Sequence, residues 1–196
     1  PRGIAIDKHH RRIVIADTDN HRLVFLSSID LSFLFSVGGK QGSQPGELGS
    51  PSAVAIDHDR HRIIVSDTFN HRVQVLSLID GSFLFEFGSF GKQPGRFASP
   101  CGLCIDNQGR IIVADTNNSR LQSFTHQGHH ISFLRCDFEN PFDVAFEEHR
   151  GLIAFAAGNR VHMIGANQWL ADTFTWRPNL HRYAPSSIKQ AILTMT

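Results

Sequence analysis

Twelve histidines, three cysteines and a set of recurring aspartates are the residues of this 196-residue chain that could do chemistry. Histidine with cysteine would suggest a zinc or redox centre. Cys101-Gly102-Leu103-Cys104 has the spacing of such a centre, but residues i and i+3 of a strand point to opposite faces, and there is no second pair. The third thiol, Cys136, falls in a short loop and reads as incidental. His126, His129 and His130 cluster at one turn without a carboxylate or thiolate companion, so a surface cluster is preferred to a metal site. No His-Glu-x-x-His spacing of a zinc hydrolase occurs. Asp7, Asp57 and Asp106 recur in phase, and in a ring they could converge on a channel, as a metal-dependent hydrolase or lyase requires. Each also precedes a turn, where aspartate is expected for its bonds to local amides. A catalytic centre needs residues that differ between repeats, and these are alike. No catalytic residue, metal site or cofactor is assigned, and no small-molecule substrate is expected.

Composition narrows the classes further. Lys+Arg number 19 against 18 Asp+Glu, a net charge of +1, which removes the simple electrostatic case for a nucleic-acid or membrane-surface protein. No run approaches the roughly 18 apolar residues of a membrane helix. Three cysteines are too few for a disulfide scaffold. The chain opens on Pro1, so an excerpt of a longer protein is expected; its location is left open, with the cytoplasm favoured. Phenylalanine and glycine each occur 16 times, which suits many short strands joined by tight turns.

The elements that would position these residues are set by repetition. Pro1-Arg2-Gly3-Ile4-Ala5-Ile6-Asp7 returns at Pro51–Asp57, at Pro100–Asp106 and, weakly, at Pro141–Glu147. A second segment, Ile13–Leu23, returns at Ile63–Val73, at Ile111–Leu121 and, shortened, at Leu152–Val161. From proline to the asparagine of each unit the distances are 19, 19, 18 and 18 residues, so the unit is rigid. Length varies instead in the Gly/Pro-rich connections Gly38–Ser50 and Gly88–Ser99, whose third counterpart shrinks to about 135–140. Each unit reads as strands A (Gly3–Asp7), B (Ile13–Asp17), C (Arg22–Leu26) and D (Ser32–Val37, or Ser82–Phe87 in the second). Strands this short and closely joined form an antiparallel meander. A four-stranded meander at this period predicts an all-β propeller with strand A innermost. Its blades are 1–50, 51–99, 100–140 and a degenerate 141–176, followed by a tail, 177–196.

These units resemble NHL repeats, whose hallmark is a strand ending in Ala-Asp-Thr followed by Asn-His-Arg and a further apolar strand. Ala16-Asp17-Thr18-Asp19-Asn20-His21-Arg22 and Ser66-Asp67-Thr68-Phe69-Asn70-His71-Arg72 match it closely. The third copy keeps Asp115, Thr116, Asn118 and Arg120 but has Ser119 for histidine, and the fourth has Ala156-Ala157 for Asp-Thr. The connection Gly-x-x-Gly…Pro-Gly-x-Leu/Phe-x-x-Pro is similar to the family's. The resemblance implies a ring of about six blades, so four blades beginning at a strand A imply a partial propeller. It also implies protein-recruiting or RNA-reading roles inside larger proteins, often ubiquitin ligases of the tripartite-motif kind.

The motif has a physical reading of its own. Asp17, Asp67 and Asp115 end strand B, where a carboxylate accepts bonds from turn amides or from Arg22, Arg72 and Arg120. Asn20, Asn70 and Asn118 suit a left-handed turn residue. This structural reading is preferred; the competing one makes His21, Arg22, His71, Arg72 and Arg120 a ring of groups facing a ligand. Topology places B–C and D–A connections on one face. The other face collects the A–B turns, with Arg11, Arg12, Arg60 and Arg62, and is the more basic and histidine-rich.

After Trp176-Arg177-Pro178 the pattern stops, following a last strand D over Asn167–Phe174. Ala184–Leu193 reads as a short helix whose face of Ile188, Ala191, Ile192 and Met195 packs on the last blade. The expectation is a non-enzymatic interaction platform that binds protein. The first alternative is single-stranded RNA on the arginine-bearing A–B face; the second is the metal-dependent hydrolase or lyase.

Overall fold

The computed structural model describes residues 1–136 and 139–169. They form an all-β chain of antiparallel sheets in a four-blade propeller arrangement. Blade 1 comprises β1 (Ile4–Asp7), β2 (Arg12–Asp17), β3 (Arg22–Ser27) and β4 (Phe33–Gly38). Blade 2 comprises β5 (Pro51–Asp57), β6 (Arg62–Asp67), β7 (Arg72–Ser77) and β8 (Phe83–Phe87). Blade 3 comprises β9 (Pro100–Ile105), β10 (Ile111–Asp115), β11 (Arg120–Phe124) and β12 (His130–Arg135). Blade 4 has three strands among the described residues, β13 (Pro141–Glu147), β14 (Leu152–Ala157) and β15 (Arg160–Gly165). The first strands of all four blades line one central cavity of about 430 Å³, which includes Ile4, Val54, Leu103 and Val144. Strand A is thus innermost, as the meander predicts.

The core lies between blades rather than within them, because a sheet one strand thick has two apolar faces to bury. Val14, Ala16, Leu23 and Phe25 of blade 1 meet Val54, Ile63, Val65 and Leu76 of blade 2. Ile64, Val73 and Val75, on the opposite face of blade 2, meet Leu103, Ile111, Val113 and Phe124 of blade 3. Ile112, Ala114 and Leu121 then meet Val144, Ile153 and Phe155 of blade 4. Alternation along each strand supplies both faces, since successive side chains point opposite ways. Burying each Leu, Ile or Phe contributes about 1.5–3 kcal/mol. Cys136 belongs to the third of these cores and is buried, so it is a packing residue rather than an incidental loop thiol.

The pattern departs from expectation at its C-terminal side. Where a fourth strand is predicted over Asn167–Phe174, β15 runs into a one-turn helix, α1 (Ala166–Trp169). Ala-Asn-Gln-Trp has no β-branched residue to hold a strand, and Ala166 and Trp169 bury in the core between blades 3 and 4. The helix predicted over 184–193 lies outside the described residues. No described residue supports it, since α1 is the only α-helix among them. None of the described helices is long and apolar enough to cross a membrane.

Candidate interaction surface

Register brings the motif together. Asp17 pairs directly with Arg22, Asp67 with Arg72 and Asp115 with Arg120, each across a three-residue 3-10 turn. The arginine Nε donates to the aspartate at 2.8, 2.7 and 2.7 Å respectively. The amides of Asn20, Asn70 and Asn118 donate to the same carboxylates. Arg22 holds the Asp17 carboxyl below its ordinary value. The structural reading of the motif is therefore the one the geometry carries. One detail differs: the left-handed residue is His21, His71 or Ser119, with φ of 52°, 54° and 51°, while the asparagine closes the 3-10 turn. The asparagine's side chain is what the turn uses, because its amide satisfies the carboxylate.

The motif also grips the loop that enters its blade. Arg72 donates to the carbonyls of Ser43, Gln44 and Glu47, and Arg120 to those of Lys92, Gln93 and Arg96. Gln74 and Gln122 donate to the Glu47 and Arg96 carbonyls and accept from the Gly46 and Gly95 amides. Asp67 and Asp115 accept from the amides of Gly49 and Ala98. His21 and His71 accept through Nδ1 from the amides of Ser50 and Ser99, each at 3.0 Å. Leu48 and Phe97, fully buried, plug the loop into the interblade core. Arg72 and Arg120 are consequently buried, with most of their donors spent on the loop and the turn carboxylate. Arg22 differs: it is half-buried, and among the described residues its guanidinium bonds only Asp17.

The opposite face is also clamped. Arg12 donates to Asp7 and to the carbonyls of Leu78 and Ile79 in the next blade; Arg62 donates to Asp57 and to the His126 carbonyl. Both are largely buried, so they tie blade to blade and do not stand free for phosphate. Arg11 and Arg60 remain exposed. Burial alone would raise Asp7, but bonds from Arg12 and His10 outweigh it and hold its carboxyl below the ordinary 3.8. Asp106 likewise accepts from Arg110 at 2.5 Å. The three phased aspartates are thus held by their own turns. Burial, with Asp106 and Asp143 nearby, pushes the Cys104 thiol up, away from the thiolate that metal binding needs. Burial and the Arg120 charge push His130 down.

The B–C and D–A connections share a face on which Phe69 and Phe90 stand exposed. On blade 3 this face is indented by a cavity of about 410 Å³ lined by Lys92, Asn117, Ser119, Arg120, Phe133 and Arg135 among others. The Arg120 and Arg135 guanidinium carbons lie 5.5 and 5.9 Å from the Phe133 ring centroid. Among the described residues no carboxylate lines the cavity, and Lys92 and Arg135 form no ion pair.

Two stretches of the chain, 48–76 and 97–124, match the NHL repeat model. The chain carries NHL repeats. It is similar to the B-box type zinc finger protein ncl-1 of Caenorhabditis elegans, 49% identical over 43 residues, which is 22% of this chain and 5% of that protein. The E3 ubiquitin-protein ligase TRIM71 of Xenopus tropicalis is 46% identical over 46 residues, 22% of this chain and 6% of the relative. These matches therefore span a small part of the relatives' length. A chain of the nidogen–laminin complex superposes with a TM-score of 0.66 at 18% identity, covering 85% of this chain and 60% of that one, a likeness of fold.

Sequence reasoning overlooked Lys92, Phe133 and Arg135 of the NHL propeller. The available signal was a break in the repeat: strand D carries Ser36 and Glu86 in blades 1 and 2 where blade 3 has Phe133. Two residues on, Gly38 and Gly88 give way to Arg135.

Proposed function

We propose that this NHL propeller is a non-catalytic, protein-binding module that docks partner polypeptides on its B–C/D–A face. The observation behind this reading is the combination of exposed Phe69, Phe90 and Phe133 with Lys92 and Arg135, which form no ion pair among the described residues, on loops clamped by buried arginines. Aromatic anchors on a rigid frame are what protein interfaces use for most of their affinity. Within a larger protein, such a module selects what other domains act on. A second reading, single-stranded RNA on the opposite face, draws on the exposed Arg11 and Arg60 of the A–B turns.

The test is selection of a neutral random peptide library on the full chain, with hydrogen exchange to map the bound peptides. Protection confined to residues 39–50, 68–71, 89–99 and 116–119 is expected. No selected peptide, or protection only in the A–B turns, overturns the reading. A single-stranded RNA titration at two salt concentrations examines the other. Because Arg12 and Arg62 are structural, it uses Arg11→Ala/Arg60→Ala, and micromolar, salt-sensitive binding lost in that variant would favour RNA. Turnover of a lactone or peptidyl-hydroxyglycine, abolished by chelator, would make the protein an enzyme instead.

A further inference from the structure

Blades 2 and 3 differ in how their motif arginine is satisfied, and the difference lies at the mouth of the blade 3 cavity. A guanidinium carries five N–H donors. In blade 2 all five of Arg72 are used: Nε on Asp67, Nη1 on the Ser43 carbonyl and the Glu86 carboxylate, Nη2 on the Gln44 and Glu47 carbonyls. The Glu86 contact, at 2.6 Å, is an ion pair. In blade 3 Arg120 repeats four of these bonds, to Asp115, Lys92, Gln93 and Arg96. The fifth has no counterpart among the described residues, because Phe133 stands where blade 2 has Glu86. The carboxylate has been replaced by a ring, and two residues on a glycine has been replaced by Arg135. The site has lost its built-in anion and gained a cation and an aromatic wall.

We infer that this cavity receives an aspartate or glutamate side chain of an extended partner peptide. The inference rests on the protein-binding reading above and names the chemistry of its partner. Glu86 on Arg72 shows, within the same molecule, which group completes this arginine. Lys92 and Arg135 add charge that no carboxylate among the described residues of the cavity neutralises. Asn118, also in the lining, gives its amide to Asp115 and the Gly91 carbonyl and leaves its Oδ1 without a donor among the described residues. A peptide offers both a carboxylate for Arg120 and backbone N–H groups for such an acceptor. The group that completes the equivalent arginine within this molecule is a carboxylate and not a phosphate, which is why a peptide is favoured over nucleic acid.

The experiment titrates the full chain, by fluorescence anisotropy at two salt concentrations, with three labelled probes: an alternating Gly-Glu octapeptide, its Gly-Gln counterpart and an oligouridylate. The Glu peptide is expected to bind about tenfold or more tightly than the Gln peptide, as a close charge pair would give. Arg135→Gly, the residue of blades 1 and 2, should weaken it about fivefold, within the same range. Phe133→Glu should abolish binding, because Arg120 then holds its own carboxylate as Arg72 does. It should also melt no lower than the parent. If that variant does not fold, Lys92→Gln with Arg135→Gly carries the test. Equal affinity for the two peptides, or unchanged affinity in these variants, overturns the inference. So does oligouridylate binding that the variants abolish while the Glu peptide fails to bind. Neutral-library peptides that dock on this face without acidic residues would retain the platform and sink only the inference; no peptide at all would sink both.

Discussion

Asp67 accepts bonds from Gly49, Asn70, Arg72 and Gln74, so one carboxylate joins a turn, a strand pair and the loop from the preceding blade. Asp67→Ala removes one half of a buried ion pair and should cost about 3–5 kcal/mol. Asp17, half-buried and bonded to Asn20 and Arg22, should cost no more than about 1 kcal/mol when replaced by alanine. Urea denaturation compares them, and equal losses would show that the loop bonds contribute nothing. Asp7 gives a pH prediction. Its carboxyl titrates below 3.8 in the folded state, so the unfolded chain takes up the proton first. Its contribution is complete above that value and lost as pH falls through the lower, folded value; Asp7→Asn should flatten the stability curve in that acid window only. The sequence made the Asp-to-Arg pairing legible, because five residues across a tight turn bring the two face to face. It did not reveal which arginines are buried, since the acceptors of Arg12 and Arg62 are backbone carbonyls about 65 residues away, and a carbonyl has no signature in the residue code.

At the scale of elements, the D–A connection behaves as a plug held by its backbone. Phe97 is fully buried and touches Phe87 and Phe124, with ring centroids 6.3 and 5.4 Å away. Phe97→Ala should cost about 3–5 kcal/mol, as emptying a packed aromatic site does. The exposed Phe90, seven residues earlier, should tolerate alanine with no measurable change in melting. A comparable loss at both would mean the loop is held by its surface contacts. Phe97 was visible in advance as the apolar residue after Pro-Gly, because both loops carry one. The blade 3 cavity was not, since strand D has no motif of its own. Its alignment across blades becomes secure only when pairing with strand C sets Phe133 against Gln122.

For the molecule as a whole, stability runs through three interblade cores in series, so cooperativity should follow position. Val113→Ala, in the core between blades 2 and 3, should speed hydrogen exchange in every blade. Val14→Ala, between blades 1 and 2, should speed it mainly in blade 1. A uniform response to both would mean the four sheets unfold as one unit. The blade pattern was legible because proline-to-asparagine spacing is constant. The end of the fourth blade was not, because Ala166–Trp169 is held by what it packs against rather than by any local preference.

The arginine grip on the D–A loops reads main-chain carbonyls at Ser43, Gln44 and Glu47, and again at Lys92, Gln93 and Arg96. The exposed side chains of Lys40, Gln41, Ser43 and Gln44 are therefore spectators of the attachment, much as printed letters are indifferent to the staples that hold the page. New sequences can be written into these loops, and new partners acquired, while the anchoring of the ring stays as it is.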